Sequence, residues 1–296
     1  MSRVIVLGAL HYDVVVDAPR LPDVDETLPG SGVDYRFGGK GGNQALAAAR
    51  MGADVAMAGR VGRDAAAGVI LGVLDAAGVD RSEVAEVDAA SGMSVAISLP
   101  SGEYGAVIVS GANGENDGRV ADGPPPRVAL IQNEIPEAAN VAFAAGLDGG
   151  CRLVLNAAPA RDLAPELAAR VDVLIVNRIE AEALSGAGDP EATAVRLERA
   201  VRGAVVLTLG AGGAILVEDG AVSHHPAHHI EPVSAHGAGD MFTGALAARL
   251  AEGDSLSDAV VFAQAAAAMF VSSPVAERGT VTKDAVAVFL AGLNGG

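Results

Sequence analysis

The stretch VSAHGAGDMFTG, residues 233–244, places a glycine-rich turn directly before a helical run. A helix start leaves backbone N–H groups unpaired and carries the positive end of the helix dipole, so Gly237, Ala238 and Gly239 would form an anion hole. Asp240 lies in the first turn, where its carboxylate could take a proton from a hydroxyl beside a transferring phosphoryl group. Asp240 could equally be only a helix cap, because Asp is common in first turns. The stretch therefore predicts either phosphoryl transfer or a capped helix.

A second glycine-rich stretch, FGGKGGNQALAAARMG at residues 37–52, contains the Gly-Lys pair of a phosphate-binding loop. A Walker loop continues with Ser or Thr, whose hydroxyl binds Mg²⁺. Here Gly41 follows Lys40, so the magnesium ligand is missing. The stretch is therefore either a turn whose glycines let the backbone close on another polar ligand, or simply a tight turn before a helix.

Two further segments are candidates for nucleotide contacts. Asn177 and Glu180 are three residues apart where a strand enters a helix, so both point toward the same rim and suit water-mediated contact to Mg²⁺ on a nucleotide. A Glu in a first helical turn is also ordinary. The segment TLGAGGAIL at 208–216 predicts a strand, a glycine-rich turn and a second strand. It could approach a nucleotide closely, or it could be only a hairpin.

Composition limits the class of protein. The 296 residues are 50% hydrophobic but only 3% aromatic, which predicts a core of Ala, Val, Leu and Ile. The net charge of −17 argues against nucleic acids and anionic membranes as partners. Cys151 is the one cysteine, so we expect a buried apolar side chain rather than a disulfide. We interpret the first residues as a strand, not a signal peptide, and no apolar run is long enough to span a bilayer, so a cytoplasmic protein is expected.

Short β-rich runs alternate with Ala-rich helical stretches along the chain. The predicted strands are 4–8, 55–62, 127–134, 152–159, 171–178 and 204–210, and the predicted helices are 42–51, 65–77, 137–146, 180–184, 190–202, 239–252 and 255–272. This alternation predicts an α/β fold whose mainly parallel sheet is covered by helices on both faces. Ligands bind such sheets beyond the carboxyl ends of the strands.

Two β-rich segments, 11–38 and 92–111, interrupt the alternation because neither contains a helix. Together they could form a small sheet over the main domain. A lid over the ligand site and a pair of surface hairpins are both consistent with the pattern.

The motifs GGKGGNQ, LIQNEIP, LNAAPA, LIVNRIEAE, TLGAGGA and HGAGDMF occur in this order over nearly the whole chain. In this order and spacing they resemble the ribokinase-like (PfkB) carbohydrate kinase family, with the ribokinase branch nearest. The resemblance implies a three-layer α/β/α fold with a mainly parallel central sheet and a small β-sheet lid. The large domain would comprise 1–10, 39–91 and 112–296, and the lid 11–38 and 92–111. In many relatives the lid also forms a homodimer contact.

The resemblance also implies an activity, the transfer of the γ-phosphoryl group of ATP to a primary hydroxyl of a small monosaccharide, ribose or similar. Asp240 would be the base beside the anion hole of Gly237, Ala238 and Gly239. The sugar would contact His11, Asp13, Gly38, Gly39, Asn43, Glu134 and Asp240. The nucleotide would contact Asn177, Glu180, Thr208, Gly210, Gly213 and Gly239, with Mg²⁺ held through water by Glu180.

The chain departs from the family pattern at the residues before Gly237. The family has Asp-Thr-Thr there, and its Asp helps to bind a monovalent cation, whereas this chain has Ser234, Ala235 and His236. The loop at 272–280, which should complete that cation site, is altered in length. Activation by K⁺ is therefore doubtful for this chain.

A second departure leaves the substrate open. His11 stands where ribokinases carry Asn, so a different hydroxyl pattern is expected. A ketohexose of the fructose type is one alternative, and a nucleoside is another, stacked on aromatic residues of the lid; these are Tyr12, Tyr35, Phe37 and Tyr104. A non-catalytic ligand-binding relative is a third alternative. The histidine cluster HHPAHH at 224–229 predicts a surface strand rather than a metal site.

Overall fold

The computed structural model describes residues 3–101, 104–121 and 123–293. The strands are β1 (Arg3–Leu7), β2 (His11–Asp17), β3 (Gly32–Gly38), β4 (Asp54–Gly62), β5 (Asp80–Val87), β6 (Met93–Ser98), β7 (Tyr104–Val109), β8 (Val128–Gln132), β9 (Arg152–Asn156), β10 (Val173–Asn177), β11 (Ala204–Thr208), β12 (Ala214–Glu218) and β13 (Ala221–His225). The helices are α1 (Lys40–Arg50), α2 (Ala65–Ala76), α3 (Glu137–Gly146), α4 (Pro165–Ala168), α5 (Arg178–Ser185), α6 (Pro190–Glu198), α7 (Ala238–Glu252), α8 (Leu256–Ser272) and α9 (Lys283–Leu293).

The central sheet has the strand order β13-β12-β11-β10-β9-β8-β1-β4-β5. Every neighbouring pair is parallel except the two pairs made by β12, which are antiparallel. Alternate residues of each strand point to opposite faces, so Val4 and Val6 of β1 join one apolar cluster, and Ile5 and Leu7 join the other. Helices α1, α2, α7, α8 and α9 cover the first face, and α3, α4, α5 and α6 cover the second. The predicted three-layer α/β/α fold with a mainly parallel sheet is confirmed.

The structure adds elements that the pattern did not predict, namely β5, α4 and α9. The edge strand β5 reads DRSEVAEV and is only partly buried, so it lacks the apolar run that marks a central strand. The strands β8, β9 and β10 end earlier than predicted. Glu134, the last residue of the predicted strand 127–134, therefore lies in the turn after β8 at the carboxyl edge, where a ligand would bind.

A separate four-stranded sheet has the order β3-β2-β6-β7. Val14 pairs with Tyr35 on one side and with Val95 on the other, and Val95 pairs with Val107, so apolar side chains share one face across all four strands. Asp13 is on the opposite face. The division into a large domain and a lid at 11–38 and 92–111 stays a prediction, although these strands all fall within those two segments.

Glycines bring α1 very close to its neighbours. A Cβ atom on Gly41 would lie 2.7 Å from the backbone of Gly8, and one on Gly244 of α7 would lie 2.5 Å from the Cβ of Ala47. Both distances are shorter than real contacts, so only glycine fits at either position. Gly41 of the GGKGG motif therefore allows the close packing of α1 on the backbone of Gly8.

Other predictions for the rest of the chain have mixed outcomes. Cys151 is buried as predicted, and burial raises the pKa of its thiol to about 11. The histidine cluster is only partly a strand, because β13 ends at His225, and that ring is buried rather than exposed. The described residues contain no group of three or more His, Cys, Asp or Glu placed to hold a metal ion. Among the helices described, none is long and apolar enough to cross a membrane.

Candidate active site

The carboxyl ends of β1, β8, β9, β10 and β11 meet at one edge of the central sheet, because these strands are parallel neighbours. Helices α1 and α7 begin at the same edge. A cavity of about 230 Å³ opens there. Its polar and glycine-rich lining comprises Lys40, Asn156, Asn177, Glu180, Thr208, His236, Gly237, Gly239 and Asp240, together with Ala238.

Asp240 is a buried carboxylate at the start of α7. Its Oδ2 accepts a hydrogen bond from Nδ2 of Asn43 at 3.1 Å, and its Oδ1 accepts one from Nε2 of Gln44, also at 3.1 Å. Burial raises the pKa of Asp240, while the charge of Lys40 and these two donors act in the opposite direction. The carboxylate is thus held by one donor on each oxygen, in a site that favours proton uptake.

Gln44 is a site residue that the sequence analysis missed. It is fully buried, and besides Asp240 its Nε2 donates to Oδ1 of Asn156 at 3.0 Å. Its Oε1 accepts a hydrogen bond from Nε2 of Gln132 at 2.8 Å. The signal in the sequence was its place directly after Asn43, in the first turn of a glycine-rich helix start. Gln44 therefore fixes the orientation of Asp240 through a buried amide network.

Glu134 follows β8 and reaches the start of α1. Its Oε2 accepts a hydrogen bond from the backbone N–H of Lys40 at 2.7 Å. Burial raises the pKa of Glu134, and Lys40 and His11 partly oppose the rise. Burial also raises the pKa of Glu180, and the charge of Lys40 opposes the rise there as it does at Asp240, so Lys40 acts on all three carboxylates. Lys40 is not a Walker lysine, but it lines the cavity.

His11 and Asp13 lie together at the start of β2. The ring of His11 is 3% exposed, and its Nδ1 lies 3.6 Å from Oδ1 of Asp13, which also accepts a 2.7 Å hydrogen bond from the backbone of Ser94. Burial works to raise the pKa of Asp13, but the nearby His11 ring and the hydrogen bonds from Ser94 outweigh it, so this pKa is lowered. A Cβ on Gly92 would lie 2.7 Å from the His11 ring, and one on Gly38 would lie 2.0 Å from Oδ2 of Asp13. Glycine at both positions makes room for this pair.

The predicted turn before α1 is also found. Gly39 has a φ of +82°, and a Cβ there would lie 2.5 Å from the carbonyl oxygen of Ala9. Only glycine fits both conditions. Gly38 and Gly39 thus connect β3 to α1 beside Asp13, on the side of the site predicted for the sugar.

The residues predicted for the nucleotide divide into two groups. Asn177 and Glu180 line the cavity and form a capping box of α5, because Oδ1 of Asn177 accepts from the Glu180 N–H at 2.9 Å and Oε2 of Glu180 accepts from the Asn177 N–H at 2.8 Å. Thr208 also lines the cavity. Gly210 and Gly213 lie outside its lining, and a Cβ on Gly213 would lie 2.1 Å from the carbonyl oxygen of His225. The left-handed backbone of Gly213 thus serves the hairpin of β11 and β12.

The aromatic residues of the small sheet pack mainly with one another and with the core. Tyr12 and Tyr35 stack with ring centroids 5.7 Å apart. A Cβ on Gly42 would lie 2.5 Å from the ring of Phe37. The side chain of Tyr104 lies outside the described residues. These contacts support packing as the role of Tyr12, Tyr35 and Phe37.

Comparisons with known proteins agree over the whole chain. The family model described as pfkB family carbohydrate kinase matches residues 1–283. The ribokinase of Haemophilus influenzae is 31% identical over 298 residues, covering 96% of this chain and 97% of that protein. The ribokinase of Bacillus subtilis is 33% identical over 299 residues, covering 97% and 98%.

Solved structures show the same likeness. The crystal structure of ribokinase from Thermotoga maritima superposes with a TM-score of 0.89 at 26% identity, covering 97% of this chain and 99% of that one. The structure of Arabidopsis thaliana ribokinase complexed with ribose and ATP superposes with a TM-score of 0.88 at 26% identity, covering 97% and 98%.

Proposed function

Because the chain belongs to the pfkB family of carbohydrate kinases, which are ATP-dependent phosphotransferases, we propose that it phosphorylates a primary hydroxyl of a small monosaccharide. Ribose is the first candidate, since the Arabidopsis relative is a ribokinase complexed with ribose and ATP. The observation that carries the proposal is the hydrogen bond between Asn43 and Asp240. It joins the residues predicted for the sugar to a buried carboxylate at the anion-binding start of α7.

In this mechanism Asp240 is the general base. The sugar hydroxyl lies between Asp240 and the γ-phosphate, and its proton passes to the carboxylate as the oxygen attacks phosphorus. The new O–P bond forms as the bond between the γ-phosphorus and the bridging oxygen breaks, and ADP leaves with the electron pair. The backbone N–H groups of Gly237, Ala238 and Gly239 stabilise the transferring group, and that of Ala238 is shared with the carbonyl of Ala235 at 3.2 Å. Lys40 adds positive charge on the same cavity wall.

The acceptor sugar is held by groups on both sides of the start of α1. Asp13 and Glu134 accept hydrogen bonds from sugar hydroxyls, and the Asn43 amide both donates and accepts. Gly38 and Gly39 let the backbone approach the sugar. His11 affects which sugar hydroxyls can be bound, through its contact with Asp13.

The donor nucleotide occupies the opposite end of the cavity, near Asn177, Glu180 and Thr208, with Gly210 and Gly213 in the adjoining hairpin turn. Mg²⁺ would enter with the ATP phosphates and supply charge neutralisation there. These residues fit Mg²⁺ that is bound through water molecules. One oxygen of Glu180 already caps α5, and the described residues offer no cluster of three metal-binding side chains. Glu180 would hold the ion through water.

The small sheet would act as a lid and as a dimer contact. Closure of a lid over the sugar excludes water and so limits hydrolysis of ATP. Its apolar face carries Val107, which is 67% exposed, in register with Val95 and Tyr35. We assign this face to a second copy of the chain, because an exposed apolar face that continues across four strands marks an interface.

A nucleoside or a fructose-type ketohexose is the alternative acceptor, and a non-catalytic ligand-binding relative is the alternative class. The buried, doubly hydrogen-bonded Asp240 disfavours the last, since a binding protein does not need a base beside an anion hole. The test is release of ADP from ATP with Mg²⁺ across pentoses, ketohexoses, sugar acids and nucleosides, with the Asp240→Asn protein as the control. Strong turnover on one sugar supports the proposal. Binding of a panel compound without any turnover would contradict it.

A further inference from the structure

Arg278 is a buried cation behind the start of α7. It lies in the 3₁₀ turn Val275–Thr280 and is 8% exposed. Its Nη1 donates to the carbonyl oxygen of His236 at 2.9 Å, and its Nη2 donates to that of Ser234 at 2.6 Å. The guanidinium carbon lies 4.5 Å from the ring centroid of Phe270. Two backbone carbonyls and one aromatic face thus surround a single positive charge.

The surroundings of Arg278 do not include a compensating carboxylate among the described residues. Burial lowers the pKa of its guanidinium, and the charge of Arg36 lowers it further. A buried Arg normally pairs with a carboxylate, because an unpaired buried charge is expensive. Here the carbonyl dipoles and the ring of Phe270 replace that partner, which is how proteins hold small cations.

This arrangement is directly connected to the anion hole. The carbonyl of His236 belongs to the same peptide unit as the N–H of Gly237, the residue that precedes α7 with a φ of +80°. A Cβ on Gly237 would lie 3.1 Å from the ring of Phe270, so this ring contacts both Gly237 and Arg278. In a trans peptide the C=O and N–H point in opposite directions, so fixing the carbonyl on Arg278 also fixes the N–H.

The monovalent cation that the family resemblance implies does not fit these residues. That site would involve the residue at position 234 and the loop at 272–280. Ser234 supplies a hydroxyl instead of a carboxylate, its carbonyl is bound by Arg278, and Arg278 itself belongs to that loop. A second cation at these carbonyls would have to displace the guanidinium or share the space with a like charge.

We propose that Arg278 is a resident cation that positions the loop at 234–239 and replaces a bound monovalent ion. Its side chain orients the carbonyls of Ser234 and His236, and this sets the peptide N–H groups that bind the transferring phosphoryl group. Polarisation of the carbonyls by the guanidinium also strengthens the N–H groups as donors. Arg278 is a positioning residue, since it acts through the backbone, and its effect on rate rests on the proposed kinase function.

The first test uses the unmodified protein. Phosphorylation rates and the melting temperature are compared in buffers with K⁺ and with tetramethylammonium, a cation too large for the site. The proposal expects equal values in both. A rate or a melting temperature that requires K⁺ would overturn it.

The second test replaces Arg278 by Ala. A displacement of the reacting groups by about 1 Å costs about 10²-fold in rate, so a loss in kcat of this order is expected, with a smaller change in the KM for sugar. Millimolar guanidinium or K⁺ should restore part of the rate and raise the melting temperature, because the vacated space can then bind a cation. The melting temperature shows whether a cation fills the vacated space even if no acceptor sugar is found. Failure of the Arg278 proposal can therefore be distinguished from failure of the proposed kinase function.

Arg249→Ala is the control, because the Arg249 guanidinium also lies on an aromatic ring, 5.0 Å from the centroid of Phe262, but it pairs with Glu252 and Asp254 near the other end of α7. This variant should lose stability but keep its kcat, because the contacts described for Arg249 lie outside the loop at 234–239. If Arg278→Ala does not fold, Arg278→Lys is used, which retains a positive charge and should stay independent of K⁺. Full activity of Arg278→Ala, no rescue of that variant by any cation, an equal loss of kcat in Arg249→Ala, or a K⁺ requirement of Arg278→Lys would each refute the proposal.

Discussion

Asn43 and Asp240 are 197 residues apart in the chain, and a 3.1 Å hydrogen bond joins the amide of the first to the carboxylate of the second. The bond connects the first turn of α1 to the first turn of α7. It exists because Gly244 lets α7 pack directly on α1. The close packing of these helices therefore places an amide that can contact sugar beside the proposed base.

Replacing Asp240 by Asn should separate activity from stability. Loss of a general base lowers the rate about 10²–10⁴-fold, while the similar shape of Asn preserves binding of sugar and ATP. Because burial raises the pKa of Asp240, the ionised form costs stability as pH rises through the folded pKa. The variant removes this cost but turns an NH₂ group toward one of the two amide donors, so its melting temperature should vary less with pH than that of the original protein.

The comparison is made by steady-state kinetics, calorimetric titration of ligands and thermal melts at several pH values. The part of the stability difference that depends on pH should vanish below the ordinary Asp pKa of 3.8, where Asp240 is protonated in both states. Near-full turnover of the variant would remove Asp240 from the role of base.

Gln44→Met should move the acidic limb of the pH–rate profile to higher pH. The substitution keeps the volume but removes the donor to Oδ1 of Asp240, so the pKa of Asp240 rises further. Stability should fall by about 1–3 kcal/mol, because Gln132 and Asn156 lose a buried partner. The measurement is kcat/KM against pH, and an unmoved limb would show that Gln44 does not act on the base.

Glu180→Gln should raise the Mg²⁺ concentration needed for half-maximal rate. The amide oxygen can still accept from the N–H of Asn177 and cap α5, but the charge is lost. The melting temperature should therefore change little. If the variant lost stability together with Mg²⁺ affinity, the role of Glu180 would instead be only to cap α5.

His11→Asn should change the ratio of kcat/KM values across the sugar panel. The smaller amide lengthens the contact to Asp13 and leaves space beside Gly92, so the hydroxyls that Asp13 accepts should change. Identical sugar preference in both proteins would exclude His11 from substrate selection.

Val107→Glu should prevent dimer formation through the small sheet. Ile108→Glu is the control, since Ile108 is the next residue of β7, is 62% exposed against 67% for Val107, and points to the opposite face. Light scattering after size exclusion reports the mass of each. A dimer that survives Val107→Glu, or the same loss in both variants, would contradict the assignment of this face.

The order of the motifs predicted the layers, the small sheet and the edge where the cavity lies. The edge or its surroundings hold six predicted site residues, because each lies at the carboxyl end of a predicted strand or at the start of a predicted helix: Asn43, Glu134, Asn177, Glu180, Thr208 and Asp240. Their chemical roles stay predictions. The contacts of Gln44 with Gln132 and of Arg278 with Ser234 could not be predicted, because they span 88 and 44 residues and leave no periodic signal.

The roles of two glycines in the GGKGG motif could not be distinguished from the sequence either. Gly39 and Gly41 look alike in a glycine-rich string, yet the first has a backbone that only glycine adopts easily, and the second allows contact with Gly8. A string of glycines indicates that something passes close by. It does not distinguish a ligand from a neighbouring backbone.

The packing of α1 on α7 also affects how this protein could change over time. The proposed base, its amide donors and the start of the anion-binding turn belong to two helices in direct contact, whereas His11 and Asp13 belong to the small sheet. Substitutions in the small sheet can therefore alter which sugar is accepted without disturbing the helices that carry the reaction. New acceptor specificities can thus arise by substitutions in the small sheet, while α1 and α7 are inherited unchanged.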